Sequence, residues 1–574
     1  MAISFPKYFE LIKLNKSREI SENVYKVSIL SNITVNYLKE TLDYTLNHKK
    51  SICEIHIGDY DNIVQDSFNN DSTVSVIFWD LCNLFEGIHY KIEDYDEDEL
   101  EDFFKKITSE INLVLNNLKE NKKVFFNKFS TAPFNNDLIV NTKFDSLSNK
   151  LNEFLITLDF ENLQLIEIEK IHMYLSLDKT VSLRDFYSSK SLYTVEFFMQ
   201  YSINISWFFN YINGKIKKAL ILDCDNSLWG GIVGEDGLDG IKMSSSDKKG
   251  IFFSEVQMLC NQLINKGVIF GLCSKNNFDD VQKVIDTHKN FLIKDSKILI
   301  KKINWIDKAS NLKEISSDLN IGIDSLVFVD DSDFEINLIK EMLPDVTLLQ
   351  VPKKTYNYTN KFRKLFNYFY NPSLTSEDKN KTLQYKSQIQ RKHEEKSHDN
   401  LDDYLASLEI EIEIFKNPNN QIERLSQMSL KTNQFNLTTK RYSETQISSF
   451  LEKHYVYSLA VKDKYGDSGI TGLCIVLIEE NQAHIDTFLL SCRVIGRKIE
   501  DEFLSFILDD LFENDRPYVT SQYIKSAKNN QVSEFYSKKG FEIENFSDEI
   551  TNYRINLNLE KIPKSKFIKI IKNG

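Results

Sequence analysis

Four near-continuous apolar runs, KALILD, VIFGLCS, SLVFVDD and VTLLQVP, lie between residues 216 and 355 with helical segments such as FFSEVQMLCNQLINKG between them. A strand with one wet face alternates polar and apolar residues, whereas a strand covered on both faces does not. These runs therefore predict a Rossmann-like parallel sheet with helices on both sides. Ligands of such a sheet sit beyond the carboxyl ends of its strands, so the residue that closes each run carries weight. Asp223 closes the first, in ILDCDNSLWGG, with Asp225 two residues on. Ser274 closes the second, in FGLCSKNN, and Asp330 and Asp331 close another, in LVFVDDSD. Lys308 stands in the connection INWIDKASNL. Carboxylates gathered in one crevice repel unless a divalent cation neutralises them, and Mg²⁺ favours such oxygen ligands. A phosphate bound there would be balanced by the cation, the Lys308 ammonium and the Ser274 hydroxyl.

The rest of the chain falls into other blocks. At 574 residues it is too long for one core and should hold several domains. Residues 1–215 alternate short apolar runs with helical stretches, an N-terminal α/β domain. Its acidic run EDYDEDELED (93–102) lacks the glycine turn and ligand spacing of a calcium loop and reads as a solvated helix start. Residues 216–355 form the parallel-sheet domain. Residues 356–405 are charged and poor in β-branched residues, and read as a helical linker. From 406 to 574 longer strands appear (LEIEIEIF, GITGLCIVLIEE, AHIDTFLLS), with an amphipathic helix at 495–514, an α+β pattern. About 50 residues separate Asp223 from Ser274 and about 34 separate Ser274 from Lys308. Neither gap has room for a large cap domain, so the site should be open to a bulky or protein-borne substrate.

Composition excludes some functions. A net charge of −13 argues against general nucleic-acid binding, which needs clustered Lys and Arg. No apolar run is long enough to span a membrane, and the N-terminus shows no secretory pattern. Seven scattered cysteines without CxxC pairing read as reduced thiols of a cytoplasmic protein.

The ordered set DxDxS, then S, then K, then DD resembles the haloacid dehalogenase superfamily of phosphoryl-transfer enzymes. That resemblance implies Asp223 as the nucleophile forming an aspartyl-phosphate and Asp225 as general acid and base. Ser274 and Lys308 would hold phosphoryl oxygens. Asp330, with Asp331 as its alternate, would complete a Mg²⁺ shell with Asp223 and Asp225. LDCDNSLWGGIVGEDGLDGI is more specifically similar to the FkbH-like branch, with Ser227 where Thr is usual. SLTSEDKNKTLQY (373–385), KTNQFNLTTKRY (431–442), VKDKYGDSGITG (461–472) and LLSCRVIGRKIE (489–500) match that branch as well. The resemblance implies a C-terminal acetyltransferase-like (GNAT) domain. It further implies an enzyme that takes a glyceryl unit from 1,3-bisphosphoglycerate, releases phosphate and loads the unit on an acyl carrier protein for a polyketide-like or related secondary metabolite. The alternative is a Mg²⁺-dependent phosphatase fused to a coenzyme A-dependent acyltransferase acting on a sugar or small metabolite.

In SCRVIGRKIE a strand is expected to run directly into a helix, whose N-terminal N–H groups favour anions. Arg493 and Gly496 follow the GNAT pattern, but Lys498 replaces its last small residue. With Arg497, this set suits the single phosphate of a phosphopantetheine arm better than a coenzyme A pyrophosphate. Cys492, beside Arg493 and Arg497, is a candidate thiolate on which an acyl unit could rest between phosphate and carrier. Cys224 alternates away from its flanking aspartates and reads as core. The N-terminal domain resembles SGNH hydrolases in position, but reads Ser31, Asn32, Ile33 where Gly-Asp-Ser is expected. A degenerate SGNH-like domain follows.

Overall fold

The computed structural model describes residues 5–18, 25–47, 53–135, 142–371, 384–388, 390–391, 394, 400–479, 482–526, 528–557 and 567–572. It divides into two compact units, Ala2–Phe209 and Asn210–Gly574.

The first unit is built on β1 (Tyr25–Ser31), β2 (Cys53–Ile57), β3 (Val74–Phe78), β4 (Lys123–Asn127) and β5 (Leu163–Ile166). They pair in parallel in the order β2-β1-β3-β4-β5. Both β3 and β4 are buried along their whole length, as doubly covered strands are. The acidic run opens the helix Glu97–Asn117, where Asp96 and Glu99 form a reciprocal capping box. The run is thus the helix start expected of it. At the end of β1, the Ser31 hydroxyl donates to the Phe78 carbonyl (2.8 Å) and accepts from Ile33 N–H (3.2 Å). Asn32 exchanges two hydrogen bonds with the Asp80 backbone (2.8 and 2.7 Å). The residues at the expected nucleophile position are buried and serve to tie β1 to β3.

The second unit carries two sheets. In the parallel one, β6 (Ala219–Leu222), β7 (Ile269–Ser274), β8 (Ile300–Ile303), β9 (Leu326–Asp330) and β10 (Thr347–Gln350) are ordered β10-β9-β6-β7-β8. The chain winds from β6 through β7 to β8 and then returns to β9 and β10 on the other side. The carboxyl end of β6 is therefore a topological switch point, where a ligand crevice opens. All six residues of β7 and all five of β9 are buried, which is what the unbroken apolar runs predict. The segments joining the strands are helices such as Ile251–Asn265 and Phe278–Thr287; no large cap stands among the described residues.

The second sheet is mixed: β11 (Ile410–Lys416), β12 (Phe435–Asn436), β13 (Tyr455–Asp463), β14 (Gly466–Ile478), β15 (Gln482–Leu490), β16 (Tyr518–Ile524), β17 (Glu542–Phe546), β18 (Ile550–Asn556) and β19 (Ile568–Lys572). Their order is β17-β18-β16-β15-β14-β13-β11-β19, with β12 on β15. Pairing is antiparallel except for β15 with β16 and β11 with β19. The β15–β16 pairing covers only Gln482–Ile485 of β15, and the strand's far end pairs β12 instead, Leu490 opposite Phe435. The helix Ile499–Glu513 packs Phe503, Leu504, Ile507, Leu508 and Leu511 into this sheet's core.

Two expectations change here. Strand β15 does not run directly into that helix; turns over 491–498 intervene, with Gly496 (φ +86°) and Lys498 (φ +58°) in the left-handed region. The described part of the 356–405 segment does more than link, because Gln384, Tyr385 and Arg391 are buried. Polar residues in a helical pattern look solvated until a buried charge of opposite sign claims them. The 373–383 stretch of the SLTSEDK block lies outside the described residues. No described helix is long and apolar enough to cross a membrane.

Candidate functional site

The strand ends of the parallel sheet bring the expected residues together. Asp223 follows β6, and its backbone N–H donates to Val329 O (2.9 Å), which holds it beside the end of β9. Lys308 opens the helix Lys308–Asp318, capped by Asp307. Its ammonium lies 3.0 Å from Asp223 Oδ1 and 2.6 Å from Asp330 Oδ2. All three side chains are nearly inaccessible to solvent. Oxygens of Asp223, Asp330 and Asp331 lie within 4.8 Å of one another, a cluster of hard oxygen donors that fits a divalent cation such as Mg²⁺. Asp330 Oδ1 also accepts the Ser332 N–H (2.9 Å), and Asn226, held at φ +53°, is hydrogen-bonded to Asp331.

Electrostatics in this crevice are those of crowded carboxylates. Asp330 is pushed up to about 7 by burial and by the charge of Asp223, against the pull of Lys308. Asp331 is raised by burial, then by Asp223. Burial works against the charge of Lys308, yet Asp223 and Asp330 hold its ammonium above the ordinary lysine range. One lysine among three carboxylates leaves negative charge uncompensated.

Asp225 stands outside the trio. Its Oδ1 accepts from Trp229 Nε1 (2.8 Å) and Val233 N–H (3.0 Å), and its Oδ2 accepts from Asn276 Nδ2 (2.8 Å). With both oxygens so engaged, its carboxylate is not part of the cation cluster that the resemblance assigned it to. Burial lifts it above the usual carboxylate range, which suits a group that must carry a proton. Ser274, at the end of β7, is buried, and its side chain is hydrogen-bonded to Cys224. Ser227 departs from expectation. It is fully buried, its Oγ meets no partner, and its carbonyl accepts from Tyr358 Oη (3.0 Å), so it belongs to the core under the loop. Cys224 is core, as expected. The sequence reading missed Trp229 and Asn276. The signal for Asn276 was its place two residues past a strand-closing serine; nothing in the pattern marked Trp229.

The C-terminal candidates lie elsewhere. Arg493 is buried, its guanidinium engaged by Gln384 Oε1 and Ser491 Oγ (3.1 Å to the latter). Arg497 donates to Asp463 Oδ2 (3.0 Å), Gln388 Oε1 (3.0 Å) and the Arg493 carbonyl. Asp463 also takes a two-pronged contact from Arg391 (2.7 and 2.8 Å). Both arginines expected to seat a phosphate are thus spent holding the 491–498 turn to the 384–391 segment. Asp463→Asn should cost about 2 kcal/mol, because two buried guanidiniums lose their charged acceptor; urea unfolding checks it, and an unchanged midpoint would show the clamp is idle. The helix Ile499–Glu513 carries Glu500, Asp501 and Glu502 in its first turn. Those acids already match the positive end of the helix dipole, and a pyrophosphate there would meet like charge. Gly496 is exposed, with open space where a Cβ would be.

Cys492 is half-buried and lines a cleft of about 540 Å³ with Lys217, Lys218, Val268, Ser325 and Tyr385. Its carbonyl accepts from Asn320 Nδ2 (2.6 Å). Lys218, Val268 and Ser325 immediately precede β6, β7 and β9, so the cleft lies at the amino ends of the parallel strands. The aspartates lie at the carboxyl ends, about 15 Å away along a strand at about 3.3 Å per residue.

No protein-family model matches the sequence, and no curated protein matches it. Among solved structures, the chain is similar to the N-terminal part of the protein BF1531 from Bacteroides fragilis, which contains a phosphatase domain and was crystallised with Mg. Identity is 23%, coverage is 64% of this chain and 100% of that chain, and the TM-score is 0.56. Smaller matches are the ribosomal-protein-S18-alanine N-acetyltransferase from Escherichia coli (11% identity, 26% and 96% of the two chains, TM-score 0.22) and an N-acetyltransferase from Staphylococcus aureus Mu50 (18%, 25% and 97%, 0.21). The first likeness concerns fold alone.

Proposed function

We propose that this chain is a Mg²⁺-dependent phosphoryl-transfer enzyme that releases phosphate from 1,3-bisphosphoglycerate and passes the glyceryl unit to an acyl carrier protein. The observation that carries the phosphoryl half is the Asp223–Lys308–Asp330 contact set beside Asp331 at the sheet's switch point. A bound Mg²⁺ would be held by Asp223, Asp330 and Asp331 and would offset the charge of the transferring phosphoryl group. Asp223 attacks the phosphorus of the 3-phosphate ester, the bond to the ester oxygen breaks, and Asp225 supplies that oxygen's proton. Asp225 then takes a proton from the water that hydrolyses the aspartyl-phosphate, freeing inorganic phosphate and restoring Asp223. Lys308 and Ser274 hold phosphoryl oxygens.

The acyl half is assigned to Cys492. Its thiolate attacks the acyl carbon of the acyl phosphate, phosphate leaves, and the thioester exchanges to the thiol of the carrier's pantetheine arm. Support comes from the cleft around the thiol, in which lysines such as Lys218 and Lys266 take over the phosphate-seating role first given to Arg493 and Arg497. The test is incubation with 1,3-bisphosphoglycerate and a panel of holo-carrier proteins, read by intact mass. A carrier gaining a glyceryl mass is expected. Acyl transfer from coenzyme A alone would favour an acyltransferase acting on a sugar or small metabolite. Cys492→Ser should fold normally, with no covalent adduct and no loaded carrier. A fully active Cys492→Ser protein, or an adduct mapped to another cysteine, would sink the assignment.

A further inference from the structure

Between residues 216 and 371 nine large apolar side chains are exposed, and six of them lie on the segments that follow the carboxyl ends of the parallel strands: Ile232, Phe278, Trp305, Ile306, Phe334 and Tyr356. Sequence neighbours relate each of them to the strand ends. Val233 and Asn276 bind Asp225, next to Ile232 and two residues before Phe278. Trp305 and Ile306 precede Lys308, and its indole N–H reaches Asn277 Oδ1 (3.2 Å), joining the loops after β7 and β8. Phe334 follows the Asp330–Asp331 pair, and Tyr356 follows β10. Trp305 and Phe334 are 70% and 67% exposed, large apolar areas to leave in water without use.

A second feature abuts this rim. Beside Phe334, an open groove of about 570 Å³ is lined by Asp333, Gln350, Lys353, Lys354 and Lys361, among others. Gln350 pairs in register with Asp330, so the groove begins at the catalytic strand ends. Its Asp333 is already matched by Lys353 (3.7 Å) and Gln350. The groove is therefore cationic in a chain whose net charge is −13.

We propose that this rim and groove form a docking surface for an acidic protein that presents a phosphate-bearing group to the uncapped crevice. Aromatic anchors flanked by charge are the composition of interface cores and their rims, and a positive groove selects a negative partner. Nucleic acid is the less favoured polyanion, because tracking a phosphate backbone needs a longer run of clustered Lys and Arg than this groove supplies. The proposal rests on the phosphoryl-transfer reading only for what the partner presents; the docking itself is read separately.

The test is fluorescence anisotropy on full-length Asp223→Asn protein with a fluorescein-labelled peptide rich in glutamate and leucine. An uncharged serine–leucine peptide of equal length and single-stranded DNA of equal charge serve as comparisons. The acidic peptide should bind at least about tenfold more tightly than either and weaken as salt rises. Lys353→Glu with Lys354→Glu, and separately Trp305→Ser with Phe334→Ser, should each remove that advantage while p-nitrophenyl phosphate hydrolysis in the Asp223 background stays at its original rate. Equal binding of all three probes, tighter binding of DNA, or variants that bind as the parent would overturn the docking surface. A parent protein inactive on p-nitrophenyl phosphate would instead count against the phosphoryl-transfer reading, and the anisotropy result would still decide the docking.

Discussion

Asp223→Asn should abolish phosphate-ester hydrolysis, with a loss of about 10⁴-fold or more, the scale seen when a covalent nucleophile is removed. The amide keeps the shape of the carboxylate but cannot form the phosphoryl bond. It also removes one of three crowded negative charges, so Lys308 keeps its contact with Asp330 (2.6 Å) and the repulsion that raises Asp330 and Asp331 falls. The variant should therefore fold at least as stably as the parent. Released phosphate from a phosphate-ester substrate, measured beside a thermal unfolding curve, separates the two effects. Near-parental turnover by a folded variant would remove Asp223 from the chemistry.

Lys308→Ala should be the most damaging single change to the fold of the parallel-sheet domain. It leaves Asp223 and Asp330 buried with no cation at 3.0 and 2.6 Å. Breaking a buried charge contact in this way costs about 3–5 kcal/mol. Activity should fall about a hundredfold or more, because the phosphoryl oxygens lose their fixed positive charge. Added Mg²⁺ should raise the melting temperature of the variant more than that of the parent, since a bound divalent ion replaces the missing charge and ligand binding stabilises by mass action. Equal Mg²⁺ shifts in both proteins would mean that the carboxylate trio does not hold the ion.

The parallel sheet was legible because strands buried on both faces leave an unbroken apolar signature, and the site was legible because such strands deliver their last residues to one crevice. Asp223, Lys308, Asp330 and Asp331 converge for that reason. What surrounds them was not. Asp225 is fixed by Trp229 and Asn276, a contact that depends on where two loops come to rest. The role of Arg497 was misread because an arginine in sequence does not reveal its acceptor; Asp463 and Arg391 claim this side of the molecule only once β13 and the 384–391 segment are folded together. Cys492 was read from its basic neighbours, whereas its location is set by the turns after β15 and by the Asn320 contact.

The back-to-back placement of crevice and cleft has a kinetic consequence. Between them lie the strands themselves, filled by Leu220, Leu222, Val327 and Val329 with no accessible surface, so nothing can be channelled through the sheet. A free intermediate made at one end must leave into bulk solvent and find the other end again, and its capture would fall on dilution or in the presence of a scavenging enzyme. An intermediate that rides on a swinging arm would be indifferent to both. The protein's architecture thus makes the choice between diffusion and tethering visible to a simple competition experiment.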